Sequence, residues 1–238
     1  MPTNTKDNGT IPKNRITVQK PRKAAQPTVI TIPAPNLQTI KFKIVGDSQL
    51  VTHAWSPKAR KMMLDKQQGR KVTKQPKDPW QDFCDSMYWV SKRPAKVTEA
   101  VIKKAKFGFP ATAIKAAAVA ACRGVDGIKM TEARQLIFVE SDFTDEQGQD
   151  LIVIKGTPKM IESMVRLQTG VADLRYRGCF FPWSATVRVQ FDADNIATES
   201  VVNLINRAGL TCGICEWRPA SKQSSTGMWG RFHVEAAS

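Results

Sequence analysis

Four stretches of this chain read as strands, and two stretches of helical period fall between and after them. Thr39–Gly46, TIKFKIVG, sets Ile40, Phe42 and Ile44 against Lys41 and Lys43. RQLIFVE (134–140), DLIVIKG (150–156) and SATVRVQFD (Ser184–Asp192) follow. A period of two places alternate side chains on opposite faces of a sheet. FPATAIKAAAVAACRG (Phe109–Gly124) predicts a closely packed helix, with Pro110 near its start and Gly124 as its stop. ATESVVNLINRAG (Ala197–Gly209) predicts an amphipathic one, capped by Thr198 and stopped by Gly209. The acidic turn SDFTDEQGQ is expected to join 134–140 to 150–156 as an antiparallel hairpin. TCGICEWRP and GRFHVEA are expected to close the sheet as strands. This order predicts an α+β fold: a modified RRM-like or ferredoxin-like, mainly antiparallel sheet, helices on one face, the other free. Phe42, Phe138 and Phe191 are the expected aromatic core.

The charge is segregated in a way the fold pattern is not. The chain carries 36 Lys and Arg against 21 Asp and Glu, a net charge of +15. Residues 1–35 hold six basic residues and one acidic, 57–77 hold eight and one, and 92–106 hold six and one. From Phe107 to Ser238, 14 basic and 14 acidic residues cancel. A near-neutral body with three blocks of one sign predicts a polyanionic partner, since engaged cations release condensed counterions. Residues 1–35 lack an apolar period and read as a disordered basic arm. Residues 36–238 read as one RRM-like domain with a basic, partly helical insertion at about 56–106. In the insertion Ser56 and Pro57 mark a helix start. Lys58, Arg60, Lys61, Lys66, Arg70 and Lys71 are the candidate phosphate contacts. No apolar run is long enough to span a bilayer, and no secretory signal opens the chain, so no membrane partner and a cytoplasmic site are expected.

A second candidate element is GICEWRPASKQSSTGMWGRFHV, Gly213–Val234. It interleaves Arg218, Lys222 and Arg231 with Trp217, Trp229 and Phe232. Cations that track phosphates beside rings that stack on bases suit single-stranded nucleic acid. Trp229 is the candidate stacking face; Trp217 alternates with Cys215 and can equally be core. Cys212 and Cys215 form one Cys-x-x-Cys without a second ligand pair, so neither a zinc nor a redox site is expected. The chain holds no phosphate-binding glycine loop, nucleophile elbow or paired catalytic carboxylates. No enzyme activity, cofactor, metal or small-molecule substrate is therefore expected.

LQTIKFKIVGDSQLVTHAWSPKARKMMLDKQ, GFPATAIKAAAVAA and CEWRPASKQSSTGMWGRFHV resemble segments of a group of uncharacterised phage and prophage proteins, over most of residues 37–236. In the same order they distantly resemble the RAMP superfamily of CRISPR proteins, with the Cas7-type backbone subunits nearest. That resemblance implies a modified RRM-like core, RNA held along its backbone, and side-by-side assembly into a homo-oligomer or filament. It also implies Arg218, Lys222 and Arg231 as contacts, beside a glycine segment reduced here to Gly227 and Gly230. The expectation is a phage protein binding single-stranded RNA or DNA, in recombination, replication or the countering of RNA-guided host defence. The alternative is a protein-binding or structural assembly protein whose basic arm docks on an acidic partner.

Overall fold

The computed structural model describes residues 32–71, 76–166, 169–222 and 225–235; the expected arm lies outside them up to residue 31. In chain order the elements are β1 (Leu37–Gly46), β2 (Leu50–Val51), α1 (Pro57–Gln67), α2 (Pro79–Asp85), β3 (Tyr88–Trp89), α3 (Glu99–Lys104), β4 (Phe107–Pro110) and α4 (Ala111–Ala121). Then come α5 (Met130–Leu136), β5 (Ile137–Glu140), β6 (Phe143–Thr144), β7 (Asp150–Lys155), β8 (Pro158–Arg166), β9 (Ala172–Phe180), β10 (Ser184–Asp192), α6 (Thr198–Thr211) and β11 (Phe232–Val234).

The main sheet is antiparallel in the order β11-β1-β10-β7-β4-β3, with β5 also on β10. β7 meets β10 at Ser184 and Ala185, and β5 meets it at Arg188–Phe191, so the two share one edge. Reduced to β11-β1-β10-β5, with α4 before β5 and α6 before β11, this is the split β-α-β order of an RRM-like, α+β domain. The register pairs Ile40 with Val189, Phe42 with Val187 and Ile44 with Ala185, which puts one row of apolar side chains on one face. That face merges with Ile114 and Ala118 of α4 and with Val201 and Ile205 of α6 in a single core. Each large side chain so buried contributes about 1.5–3 kcal/mol. Gly46 is needed here because a Cβ would lie 2.0 Å from the indole nitrogen of Trp183, which donates to the Ser48 carbonyl at 2.8 Å.

Several local expectations are corrected. β5 and β7 are strands but not each other's partners. Asp145 accepts from the Gln147 and Gln149 amides at 2.9 and 2.8 Å, and this tight turn gives β7 the short strand β6 instead. Gly209 does not stop α6, which runs to Thr211. It admits β11, since a Cβ there would meet the Phe232 carbonyl oxygen at 2.0 Å. Phe191 is fully buried and Phe42 half-buried, but Phe138 is 48% exposed with Lys115 over its ring. Residues between β7 and β10 are not a plain connection. β8 and β9 pair along nine positions and join β2 in a second, three-stranded sheet. Of the two expected closing strands only Phe232–Val234 forms.

Candidate nucleic-acid interface

α1 forms as its sequence dictates. The Ser56 hydroxyl accepts from the Ala59 amide at 3.1 Å, and Pro57 occupies the first helical turn. No residue of α1 is buried. A helix with no fully buried side chain, only Lys58, Ala59, Met62 and Asp65 half-buried, gains little from tertiary contacts, so its charge is its main property. Arg60, Lys61, Lys66, Arg70 and Lys71 are exposed, and Lys58 is half-buried. Lys58 donates to the Pro76 carbonyl at 3.0 Å, and Arg70 lies 3.9 Å from Asp65. Among the described residues, Lys58, Arg60, Lys61, Lys66 and Lys71 have no carboxylate partner.

The open face of the main sheet is different. Its outward positions on β1 and β10 carry Thr39, Lys41, Lys43, Thr186, Arg188 and Gln190 and no aromatic ring. Lys43 is paired with Glu235 at 2.8 Å, and Arg188 with Glu140 and Asp142 at 3.0 and 2.9 Å. Base stacking of the RRM kind has no platform on these central strands. Of these cations only Lys41 is left without a carboxylate partner among the described residues; most of the uncommitted charge sits on the insertion.

The described residues of Gly213–Val234 form a closed loop rather than two paired strands. Cys215 and Trp217 have φ of 63° and 50°, the left-handed region that L residues seldom occupy. Backbone bonds hold them there: the Ile214 amide donates to Gly230, Glu216 to Val51, Trp229 to Trp217 and Gly230 to Gln49, at 2.8–3.1 Å. Trp217 and Trp229 stack with centroids 4.7 Å apart and planes 19° apart. One face of Trp229 is thereby covered by protein. Arg218 is exposed and donates to the Cys215 carbonyl at 2.8 Å, and Lys222 is exposed. Arg231 is half-buried, and its buried Nε has no hydrogen-bond partner. The Cys215 thiol is pushed up to about 12, by desolvation first and against the opposing Arg218 charge, so it is not a ready thiolate.

The fold joins these two clusters, which lie some 150 residues apart in sequence. Glu216 of the loop meets His53 Nδ1 at 2.8 Å, three residues before the Ser56 cap of α1. Arg177 of β9, 5% exposed at its side chain, holds the other Glu216 oxygen at 2.7 Å. Between His53 and Ser56 stands Trp55, 53% exposed. In the sequence Trp55 directly precedes the basic block, and it is not among the candidate contacts named above. Its position, one residue before a helix cap on a charged block, is the signal that could have found it.

Burial alone would raise the Glu216 carboxyl. The His53 hydrogen bond and the Arg177 charge outweigh it and bring the group down to about 2. A depressed carboxylate contributes stability that is complete above its unfolded value near 4.5 and lost as pH falls toward 2. Between pH 6 and pH 2 the wild type is expected to lose about 3 kcal/mol more than Glu216→Gln, read by urea unfolding at each pH. Equal losses in the two proteins would show that this ion pair does not brace the loop.

No protein-family model and no curated protein sequence matches this chain. Among the described residues no helix is long and apolar enough to cross a membrane. No group of three or more His, Cys, Asp or Glu side chains that could hold an ion forms among them either.

Proposed function

We propose that this is a non-enzymatic phage protein that binds single-stranded nucleic acid along its backbone, in the cytoplasm of the host. The observation that carries it is α1, a basic helix with no fully buried residue, whose lysines have no acidic partner among the described residues. A charged element with little packing and most of its cations without carboxylate partners is suited to a polyanion. Glu216 ties the Gly213–Val234 loop to His53, three residues before the cap of that helix, and the loop carries Arg218, Lys222 and Arg231. Phosphate contacts of this kind position a strand without reading its sequence. The RAMP resemblance supports the same reading and extends it to assembly of copies along the strand, as a filament in recombination, replication or anti-defence.

Trp55 is the exposed ring on this track, whereas Trp229 offers one face at most. Trp55→Ala is expected to cost about 1–3 kcal/mol of single-strand affinity, with duplex binding affected less. Anisotropy of labelled 12-nucleotide strands and duplexes checks this. Unchanged single-strand affinity would remove Trp55 from the interface.

A second reading, a protein-binding or structural assembly protein, is favoured by one surface. Met160, Met164 and Leu174 are 47%, 60% and 43% exposed and share one face of the β8–β9 ribbon. Exposed apolar rows of this kind mark protein contacts. A gel shift at low salt separates the readings: a shifted single strand supports the first, and none supports the second.

A further inference from the structure

We propose that the polar cleft at the foot of α1 is a base pocket that selects guanine, with Asp82 as the reading group. This rests on the single-strand reading above and adds sequence preference to it. The cleft lies between the segment leading into α1, helix α2 and strand β9, and has a volume of about 260 Å³. Pockets for drug-sized ligands run to roughly 300–1,000 Å³, so this one suits a single base better than a larger molecule. Ser56, the cap of α1, forms part of its wall, which places it on the track of the basic helix.

The charges lining the cleft are nearly all accounted for. Asp85 accepts from Arg93 at 2.6 Å and from Gln81 at 2.9 Å. Asp173 is held by Lys77 and Arg175. Arg177 and His53 are committed to Glu216. Asp82 is half-buried in the same wall, and among the described residues its carboxylate has no hydrogen-bond or ion-pair partner. With no partner in the protein, both Asp82 oxygens can accept from a ligand that donates to both.

An ionised carboxylate only accepts hydrogen bonds. Guanine presents N1–H and the 2-amino group side by side, two donors spaced for two carboxylate oxygens. Adenine and cytosine present one amino group next to a ring nitrogen that is itself an acceptor. Uracil and thymine present one N–H between two carbonyl oxygens. Guanine alone therefore meets Asp82 without placing an acceptor against it. Tyr176 and Arg175 also line the cleft; as neighbours along β9 they point to opposite faces of the ribbon, and Arg175 is the one held to Asp173.

The test uses the full chain and labelled 12-nucleotide single strands, in DNA and RNA forms. One strand is all thymine or uracil, a second carries a central guanine, and a third carries hypoxanthine there, which lacks the 2-amino group. The wild type is expected to bind the guanine strand roughly tenfold more tightly than the pyrimidine strand, with most of the gain lost on hypoxanthine. Asp82→Asn is expected to keep the pyrimidine-strand affinity and lose the guanine gain, with its thermal midpoint as the folding control. The guanine-against-hypoxanthine comparison in the wild type stands even where that variant does not fold. Salt-dependent binding of all three strands with equal affinity in both sugar forms would overturn the pocket and leave backbone binding in place. Failure to bind any strand at low salt would overturn backbone binding, and the pocket with it.

Discussion

Changing Lys58, Arg60, Lys61 and Lys66 together to glutamate is expected to weaken binding of every single strand by roughly a hundredfold at low salt. The loss should be the same for strands of any composition outside the guanine preference, because phosphate contacts carry no base information. The fold should not change. No residue of α1 is buried, and its start is fixed by the Ser56 and Pro57 cap that the substitutions leave intact. An unaltered melting midpoint with a collapsed affinity is therefore the expected pair of results. Filter binding at low salt with undiminished affinity would remove α1 from the interface. A large fall in melting midpoint would show that the helix packs on something.

Gly230→Val is expected to have the largest effect on the fold of the loop. Gly230 sits at φ +67°, and a Cβ there would lie 1.9 Å from the Ile214 carbonyl oxygen. Its own carbonyl and amide bond Ile214 and Gln49 at 3.0 and 2.8 Å, so it cannot move away without breaking the loop closure. Left-handed backbone costs an L residue about 1–2 kcal/mol, and overpacking typically adds 1–3. A loss of about 3 kcal/mol or more follows, with loss of the Trp217–Trp229 stack visible in near-ultraviolet circular dichroism. Gly124→Ala is the control: an added Cβ there meets nothing within 4 Å. Equal stability of Gly230→Val and wild type would contradict the closed loop.

What the sequence made legible was local. The alternation of SATVRVQFD gave β10 its bounds, and Ser56-Pro57 gave α1 its start, because both signals are read within a few residues. The segregation of charge singled out the insertion for the same reason. Cys215 and Trp217 were not legible, since CEW has the composition of a strand. Their left-handed backbone is imposed by the turn that seats Glu216 on Val51 and Gly230 on Gln49, bonds to residues more than 160 positions away. Gly209 looked like a helix stop because glycine usually is one; only the arrival of β11 against it shows the close approach. In KMIESMVR the apolar residues suit a helix turn as well as a strand, and the β9 partner decides. Within the candidate site, the six cations of the insertion could be read directly. The junction of His53 with Glu216, which brings the loop to the foot of α1, depends on a pairing that leaves no local pattern.

The dependence of single-strand affinity on salt tests the central claim most directly. Each phosphate neutralised contributes roughly −0.7 to the slope of log affinity against log salt for a single strand. Engagement of about five cations from the insertion gives a slope near −3.5, or roughly a hundredfold weakening between 50 and 200 mM salt. A steep slope of this size, flattened in the fourfold glutamate variant, is the result expected. No binding at 50 mM salt, or binding whose strength does not change with salt, would contradict a protein that holds nucleic acid by its backbone.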